Sequence, residues 1–346
     1  MKNSKKSTKN FSNQIEIFTL NNNTVSIEIL NLGCIIKSIY TPCKNGFLKN
    51  IVAGFSNIED YKLNEHYFGC ILGRFANRIS DGNFILSNKK ISLSKNEGHN
   101  HLHGGFDGFN KKIWNLISYT KCDEYDSITL SYLSKNGEEG YPGNLIVSVN
   151  YLLNKDNQLI IKYMATSDSD TILNLSNHSY FNLSGFEESQ IYNHYLYVNA
   201  DKFLEKNLNN IPTGQILPVD NTFFDFKEFK KIGQDIRKIN FDEGYDHDFV
   251  LNDKLQNKKN LAAILKDLNS GRKLSVYTEQ PSIHLYSANY FHPYVKGFHG
   301  FYKKHSALAI ETQSFPDSPN HSNFPTTLLK KDENYETTTI YEFGLS

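Results

Sequence analysis

LIVSVNYLLNKDNQLII, residues Leu145–Ile161, decides the fold class. Leu145 to Leu152 is rich in β-branched and apolar residues that recur with a period near two, so it reads as a strand. Asn154–Asn157 (NKDN) then reads as a hairpin turn into a second run of the same kind. The signature recurs along the chain. Ile15 to Leu20, Val25 to Leu30 and Ile128 to Leu133 read as strands, and Asn269–Gly271 (NSG) as a turn between Leu261–Leu268 and Lys273–Thr278. Helical periodicity is scarce, and Ile58 to Leu63 and Phe226 to Ile236 are each expected to form one short helix. Strands do not alternate with long helices, which argues against a doubly wound α/β fold. No linker rich in Pro, Gly or Ser divides the chain, and no fixed-period repeat is visible. The expectation is an all-β protein: a polar, disordered tail over residues 1–12, then one domain over 13–346. Large antiparallel sheets would twist into a sandwich and present a concave face to a ligand.

The chain has 346 residues, enough to bury a substantial core. Its 37 basic and 37 acidic residues cancel, so no excess charge favours a nucleic acid or an anionic membrane. The four cysteines (Cys34, Cys43, Cys70, Cys122) show no CxxC spacing and read as free thiols in a reducing, cytoplasmic compartment. The start of the chain, MKNSKKSTKNFSNQ, lacks the apolar stretch of a signal peptide. No apolar run approaches the ~18 residues of a membrane span.

The residues able to carry chemistry lie in four segments. NLSNHSYFNLSG (174–185) holds a single histidine, His178, at the end of a strand-like run from Thr171 to Leu175. Imidazole is suited to proton transfer near neutral pH, and Asn174, Asn177 and Asn182 are placed to orient a polar ligand. Glu311 follows the apolar run Ala307–Ile310. A carboxylate at the end of a buried strand is either a strengthened base or half of a structural ion pair. In HNHLHGG (99–105) the histidines alternate and two glycines permit close backbone approach. A metal pair is one reading, but a cupin-like site would add a glutamate shortly after, and Gly104 to Asn110 contains only Asp107. His99 and His101 are better read as loop-bracing. In LGRFANRI (72–79), Arg74 offers a forked donor to two ligand hydroxyls, Asn77 adds an amide, and Arg78 reads as structural. Asp246 in GYDHDF is a candidate acceptor for paired hydroxyls, with Asp248 a weaker one, and Gln280 stands at a strand end with its amide available. Taken singly, each of these polar residues could equally be a solvated or loop-bracing side chain. The inventory lacks a phosphate loop, a dinucleotide glycine motif and a nucleophile elbow. It suits proton transfer on an uncharged polyhydroxylated ligand.

Together these segments resemble the aldose 1-epimerase (mutarotase) family of the galactose mutarotase type, from about Ile15 to Phe343. The matching motifs are YFGCILGRFANRI, NHLHGG with GFNKKIW, GEEGYPGNL, NLSNHSYFNLSG, DHDF and ETQSFPDSPNHSNFPTT. The resemblance implies a β-supersandwich that interconverts the α and β anomers of free aldohexoses, with no metal and no organic cofactor. It implies Glu311 as general base, His178 as general acid and His103 as the second active-site histidine. Arg74, Asp246 and Gln280 match sugar-binding positions. The implied partner is a small aldohexose, with no nucleic acid and no membrane, for a monomer or homodimer. Asp248, His284, Ala288 and His321 depart from the commonest pattern, at asparagine, glutamine, glycine and glutamine respectively, and bear on sugar preference. The rival readings are a hexose-6-phosphate 1-epimerase, a non-catalytic sugar-binding protein on the same scaffold, and a metal-dependent cupin-like enzyme.

Overall fold

The computed structural model describes residues 14–239, 244–252, 260–291 and 295–346. The tail expected over residues 1–12 lies outside the described residues. Three antiparallel sheets carry the architecture. The largest has nine strands, in the order Asn115–Lys121, Tyr125–Ser134, Leu145–Asn154, Gln158–Ser167, Tyr335–Leu345, Arg272–Thr278, Asn260–Lys266, Tyr195–Val198 and Lys230–Lys231. A six-stranded sheet runs Tyr180–Phe181, Leu308–Gln313, Ser282–Tyr286, Asp246–Val250, Lys202–Lys206 and Pro212–Pro218. A four-stranded sheet holds Ile17–Asn21, Ser26–Leu30, Ile36–Pro42 and Leu48–Asn50.

The hairpin around NKDN forms as its alternation demands. Val147 faces Ala165, Val149 faces Tyr163, and Tyr151 faces Ile161 across the ladder. Leu145, Val147, Val149, Tyr151 and Leu153 are buried, while Ile146 on the opposite face is exposed. Period-two patterning therefore sorts this strand into one wet and one dry side. The dry side joins an apolar cluster that includes Ile27 of the four-stranded sheet and Ile283 and Ile310 of the six-stranded sheet. Each such side chain, fully buried, contributes roughly 1.5–3 kcal/mol of transfer free energy.

Two expectations need correction. Phe226 to Ile236 is not one helix. It contains the edge strand Lys230–Lys231 and the 3-10 turn Ile232–Gln234, and a second 3-10 turn follows at Ile236–Lys238. Gly233 sits where a Cβ would lie 2.6 Å from the Tyr192 Cβ, so the segment is pressed against its neighbour instead of coiling freely. The run Thr171 to Leu175 is strand only at Thr171–Ile172. Ile58 to Leu63 does turn, as the 3-10 segment Ile58–Lys62 capped by Asn57. No α-helix occurs among the described residues.

Arg272 binds the sheets together. It is 2% exposed, and its guanidinium donates to the carbonyls of Thr41 (3.2 Å), Leu183 (3.0 Å) and Phe47 (3.1 Å). Those oxygens lie on the last part of the four-stranded sheet and on the loop after Phe181. Arg272→Met keeps the volume but takes a donor from the carbonyls of Thr41, Leu183 and Phe47. The expected cost is about 2–3 kcal/mol, read as a lower urea midpoint at unchanged m-value.

Candidate active site

The register of the six-stranded sheet assembles the floor of a cavity. His284 lies directly between Asp248 and Glu311 on adjacent strands, and Asp246 lies two residues from Asp248 on the same face. His178 comes from a different route. It sits between the short strands Ser176–Asn177 and Tyr180–Phe181, pinned by its own backbone: its N–H donates to the Cys70 carbonyl (2.9 Å) and its carbonyl accepts from Gly69 (3.0 Å). His178 Nε2 then stands 3.4 Å from Glu311 Oε1.

His103 is held by Asn77 in a reciprocal pair. The Asn77 backbone N–H donates to His103 Nδ1 at 3.1 Å, and the His103 N–H donates to the Asn77 carbonyl at 3.1 Å. An acceptor at Nδ1 places the proton of the neutral ring on Nε2. The turn requires the glycine that follows: Gly104 has φ +92°, and a Cβ there would fall 1.8 Å from the Gly73 oxygen.

Around these groups lies an open cleft of about 660 Å³ lined by Tyr67, Asn77, Arg78, His103, His178, Asp246, His284 and Glu311, with Tyr286 and Tyr290 at one side. Tyr67 stacks on His178 at 22° and 6.0 Å between centroids, and Tyr180 packs 4.7 Å from the same ring. Packed against these rings, His178 is 3% exposed. Burial pushes the Glu311 carboxyl, 1% exposed, up to about 8. It pushes His178 down to about 3 and His103 well below the usual imidazole range. Burial alone would raise Asp246 as well, yet Lys206, His284 and Arg78 together hold it well below the usual carboxylate range. The cavity thus sets one carboxyl that keeps its proton near neutral pH beside another that does not.

Glu311, His178, His103, Asn77 and Asp246 converge here. Arg74 and Gln280 do not. Arg74 is 2% exposed and fully engaged elsewhere. Its Nε donates to Ser134 Oγ (2.8 Å), Nη1 to the Pro142 carbonyl (2.9 Å), and Nη2 to the carbonyls of Ser134, Lys135 and Gly143 (2.9, 3.1 and 2.8 Å). It is a brace for the loop 134–143. The guanidinium in the cleft belongs to Arg78, read from sequence as structural. Glu97 grips Arg78 at Nε and Nη2, both 2.7 Å. Gln280 turns its amide to the Tyr335 hydroxyl (3.1 Å), and His284, four residues on, lines the cavity instead. His101 is a satisfied buried histidine, between the Ser94 carbonyl (2.7 Å) and the Tyr141 hydroxyl (2.6 Å). Asn174, Asn177 and Asn182 do not orient a ligand. Their amides donate to backbone carbonyls of Ala76 and Ser314, Gly69, and Glu188 and Ser306.

Arg78, read as structural, and Tyr67 were not anticipated as cavity residues, and His284 was singled out only as a departure bearing on sugar preference. The signal for His284 was that this histidine stands where the resembling family commonly has glutamine. For metal chemistry, ligating atoms of His103, His178 and Glu311 lie within 4.8 Å of one another. Zinc needs each donor at ~2.0–2.2 Å, so these side chains would have to draw together to hold it. Arg74→Met should cost about 3 kcal/mol of stability through the orphaned carbonyls. The folded fraction should keep the ligand affinity of the parent by calorimetry, whereas a binding role for Arg74 predicts a large loss.

Comparison with known proteins gives the cavity its context. Residues 16–342 match the family model for aldose 1-epimerase. Galactose mutarotase of Mus musculus is 38% identical over 333 residues, covering 96% of this chain and 95% of that one. Aldose 1-epimerase of Escherichia coli is 34% identical over 336 residues, with 94% of each chain covered. Among solved structures, a GalM/aldose epimerase homologue from C. elegans superposes with a TM-score of 0.88 at 30% identity, over 96% of this chain and 99% of the other. The galactose 1-epimerase of Lactobacillus acidophilus gives 0.84 at 26% identity, over 98% and 97%.

Proposed function

The chain belongs to the aldose 1-epimerase family, and from that premise we propose that it interconverts the α and β anomers of free aldohexoses such as D-galactose and D-glucose, with Glu311 and His178 as the proton-transfer pair. The observation that carries the assignment of roles is the buried Glu311 carboxyl 3.4 Å from the His178 imidazole inside a cleft lined by polar and aromatic side chains.

The chemistry follows from where protons sit. Glu311 takes the proton of the C1 hydroxyl. The bond from C1 to the ring oxygen breaks, its electron pair goes to that oxygen, and His178 supplies the proton there. Rotation about C1–C2 in the open aldehyde presents the other carbonyl face, and the transfers reverse. In the empty cavity burial leaves the exchangeable proton on Glu311 and the imidazole neutral. Catalysis uses the form in which the Glu311 proton has gone to solvent. A docked ring favours that form, since the C1 hydroxyl donates to the carboxylate, while the neutral imidazole donates its N–H to the ring oxygen. His103, with its proton on Nε2, adds a second donor beside the ring oxygen. Asp246 accepts from a pair of hydroxyls, and Asn77 and the Arg78 Nη1 that Glu97 leaves unclaimed complete the polar contacts.

The cations of the cleft are each already matched by a carboxylate, Arg78 by Glu97 and His284 by Asp246, and Glu65 adds a further acid. That balance disfavours a phosphate monoester and supports a free sugar over a hexose 6-phosphate. The proposal further includes action without a metal or organic cofactor, a monomer or homodimer, no nucleic acid or membrane partner, and a cytoplasmic place. Cys34, Cys43, Cys70 and Cys122 are free thiols, which fits a reducing compartment.

Polarimetry on freshly dissolved α-D-galactose and α-D-glucose, with EDTA present, tests the reading. Approach to the same final rotation should be much faster than the spontaneous rate. A preference for glucose 6-phosphate over glucose would replace the substrate assignment, and loss of activity in EDTA would replace the proton-transfer account. Glu311→Gln should still bind sugar but lose about 10²–10⁴-fold in turnover; unchanged turnover removes Glu311 from the mechanism.

The pH profile has a definite sign. A protonated Glu311 is no base, so kcat/KM should fall as pH falls through the free-enzyme value. That inflection should lie well above the ordinary carboxylate value of 4.5, displaced toward about 8. A limb centred at the ordinary value would mean that Glu311 is not the group observed.

A further inference from the structure

His284 stands between two carboxylates. It is 5% exposed, its Nε2 donates to Asp246 Oδ1 at 2.8 Å, and its Nδ1 makes an off-axis ion-pair contact with Asp248 Oδ2 at 3.0 Å. A neutral imidazole carries one N–H and would turn a lone pair toward the other carboxylate, so a carboxylate at each nitrogen selects the doubly protonated ring. Each acid has a further partner. Gln313 Nε2 donates to Asp248 Oδ1 at 2.9 Å. Lys206 Nζ donates to the Asp246 carbonyl at 2.6 Å and lies 3.5 Å from its Oδ2. The sheet register then sets this group directly opposite Glu311.

We propose that His284 is a charged positioning residue: an imidazolium clamped between Asp246 and Asp248, which holds the Asp246 carboxylate toward the sugar and places a positive charge opposite Glu311. The ligand's identity rests on the aldose 1-epimerase reading; the clamp itself rests on the geometry.

Burial opposes a charged ring, yet Asp248 and Asp246 outweigh it and hold the His284 imidazole up to about 10. The same charge offsets part of the burial that raises Glu311. The other charged groups facing this row are Arg78 from the Arg78–Ile79 strand and Lys206 behind Asp246. His178 and His103 are held neutral by burial, as are the Cys70 thiol and the Tyr180 and Tyr341 phenols beside Glu311. His284 is thus the cation on the strand next to the base, paired with an acid that the sugar itself contacts.

The sign of the effect separates this role from simple packing. His284→Gln keeps a side-chain donor for Asp246 but leaves Asp248 as an uncompensated anion in the row with Glu311. The acid-side inflection of kcat/KM for α-D-galactose should rise by about one pH unit, a loss of about tenfold below it that shrinks above it. The double variant His284→Gln with Asp248→Asn removes both charges and should bring the inflection back toward the parent value. In the parent protein, heteronuclear NMR of the imidazole nitrogens should show one ring doubly protonated from about pH 6 to about pH 9, and that signal should vanish in His284→Gln. An inflection that His284→Gln does not move, or the absence of a doubly protonated ring, overturns the proposal. A parent protein that shows the ring signal but does not interconvert anomers supports the clamp and overturns the substrate reading.

Discussion

A carboxyl group taken almost wholly out of water is the constraint on which the site depends. Glu311 is 1% exposed, and its Oε2 has no hydrogen-bond partner among the described residues. An isolated buried carboxylate is costly, so the group is pushed toward its neutral form. The same desolvation makes it a strong base once a ligand supplies the missing donor. The surrounding sheet serves this end. Its strands exclude water on one side through Ile283, Leu285 and Ile310, and on the other present His284, Asp246 and Asp248 in fixed register. Sheet geometry, with Cβ atoms alternating between faces, lets a single strand be core below and chemistry above.

The arginines show how much of the polar inventory is spent on structure. Arg74 and Arg272 are each 2% exposed and donate to backbone carbonyls that include those of Gly143 and Leu183, outside the strands. A protein built of large sheets joined by long irregular loops leaves many backbone oxygens without partners. A planar fork with five donors satisfies several at once. Asn174, Asn177 and Asn182 do the same on a smaller scale, and their donors anchor the segment that carries His178. The polar residues crowded near His178 in sequence are therefore its scaffold.

The fold class was legible because burial imposes a period on sequence, and the Leu145–Ile161 hairpin displays it plainly. Glu311 and His178 were legible as candidates, a lone acid after an apolar strand and a lone histidine among small residues, and the structure brings them to 3.4 Å of each other. Arg74 and Arg78 were not separable, because they lie four residues apart in one motif and differ only in what each side chain meets: Ser134 and the carbonyls of Lys135, Pro142 and Gly143 for one, Glu97 and the cleft for the other. Gln280 was mistaken for a cavity residue for a related reason. It lies at a strand end, but four further residues along the chain are needed to reach the row beside Glu311, and His284 occupies that place.

Local sequence by itself determined the alternating strands, their turns at NKDN and NSG, and the residue types available for proton transfer, because these depend on neighbours a few positions away. Tertiary structure alone decided which arginine faces the cavity, which amides are braces, and that His284 stands between Asp246 and Asp248. Those outcomes depend on strand register and loop packing between residues as distant in sequence as Asp246 and His284, or Arg74 and Ser134. They also depend on the desolvation that the closed sheets impose, and no local pattern of side chains encodes that.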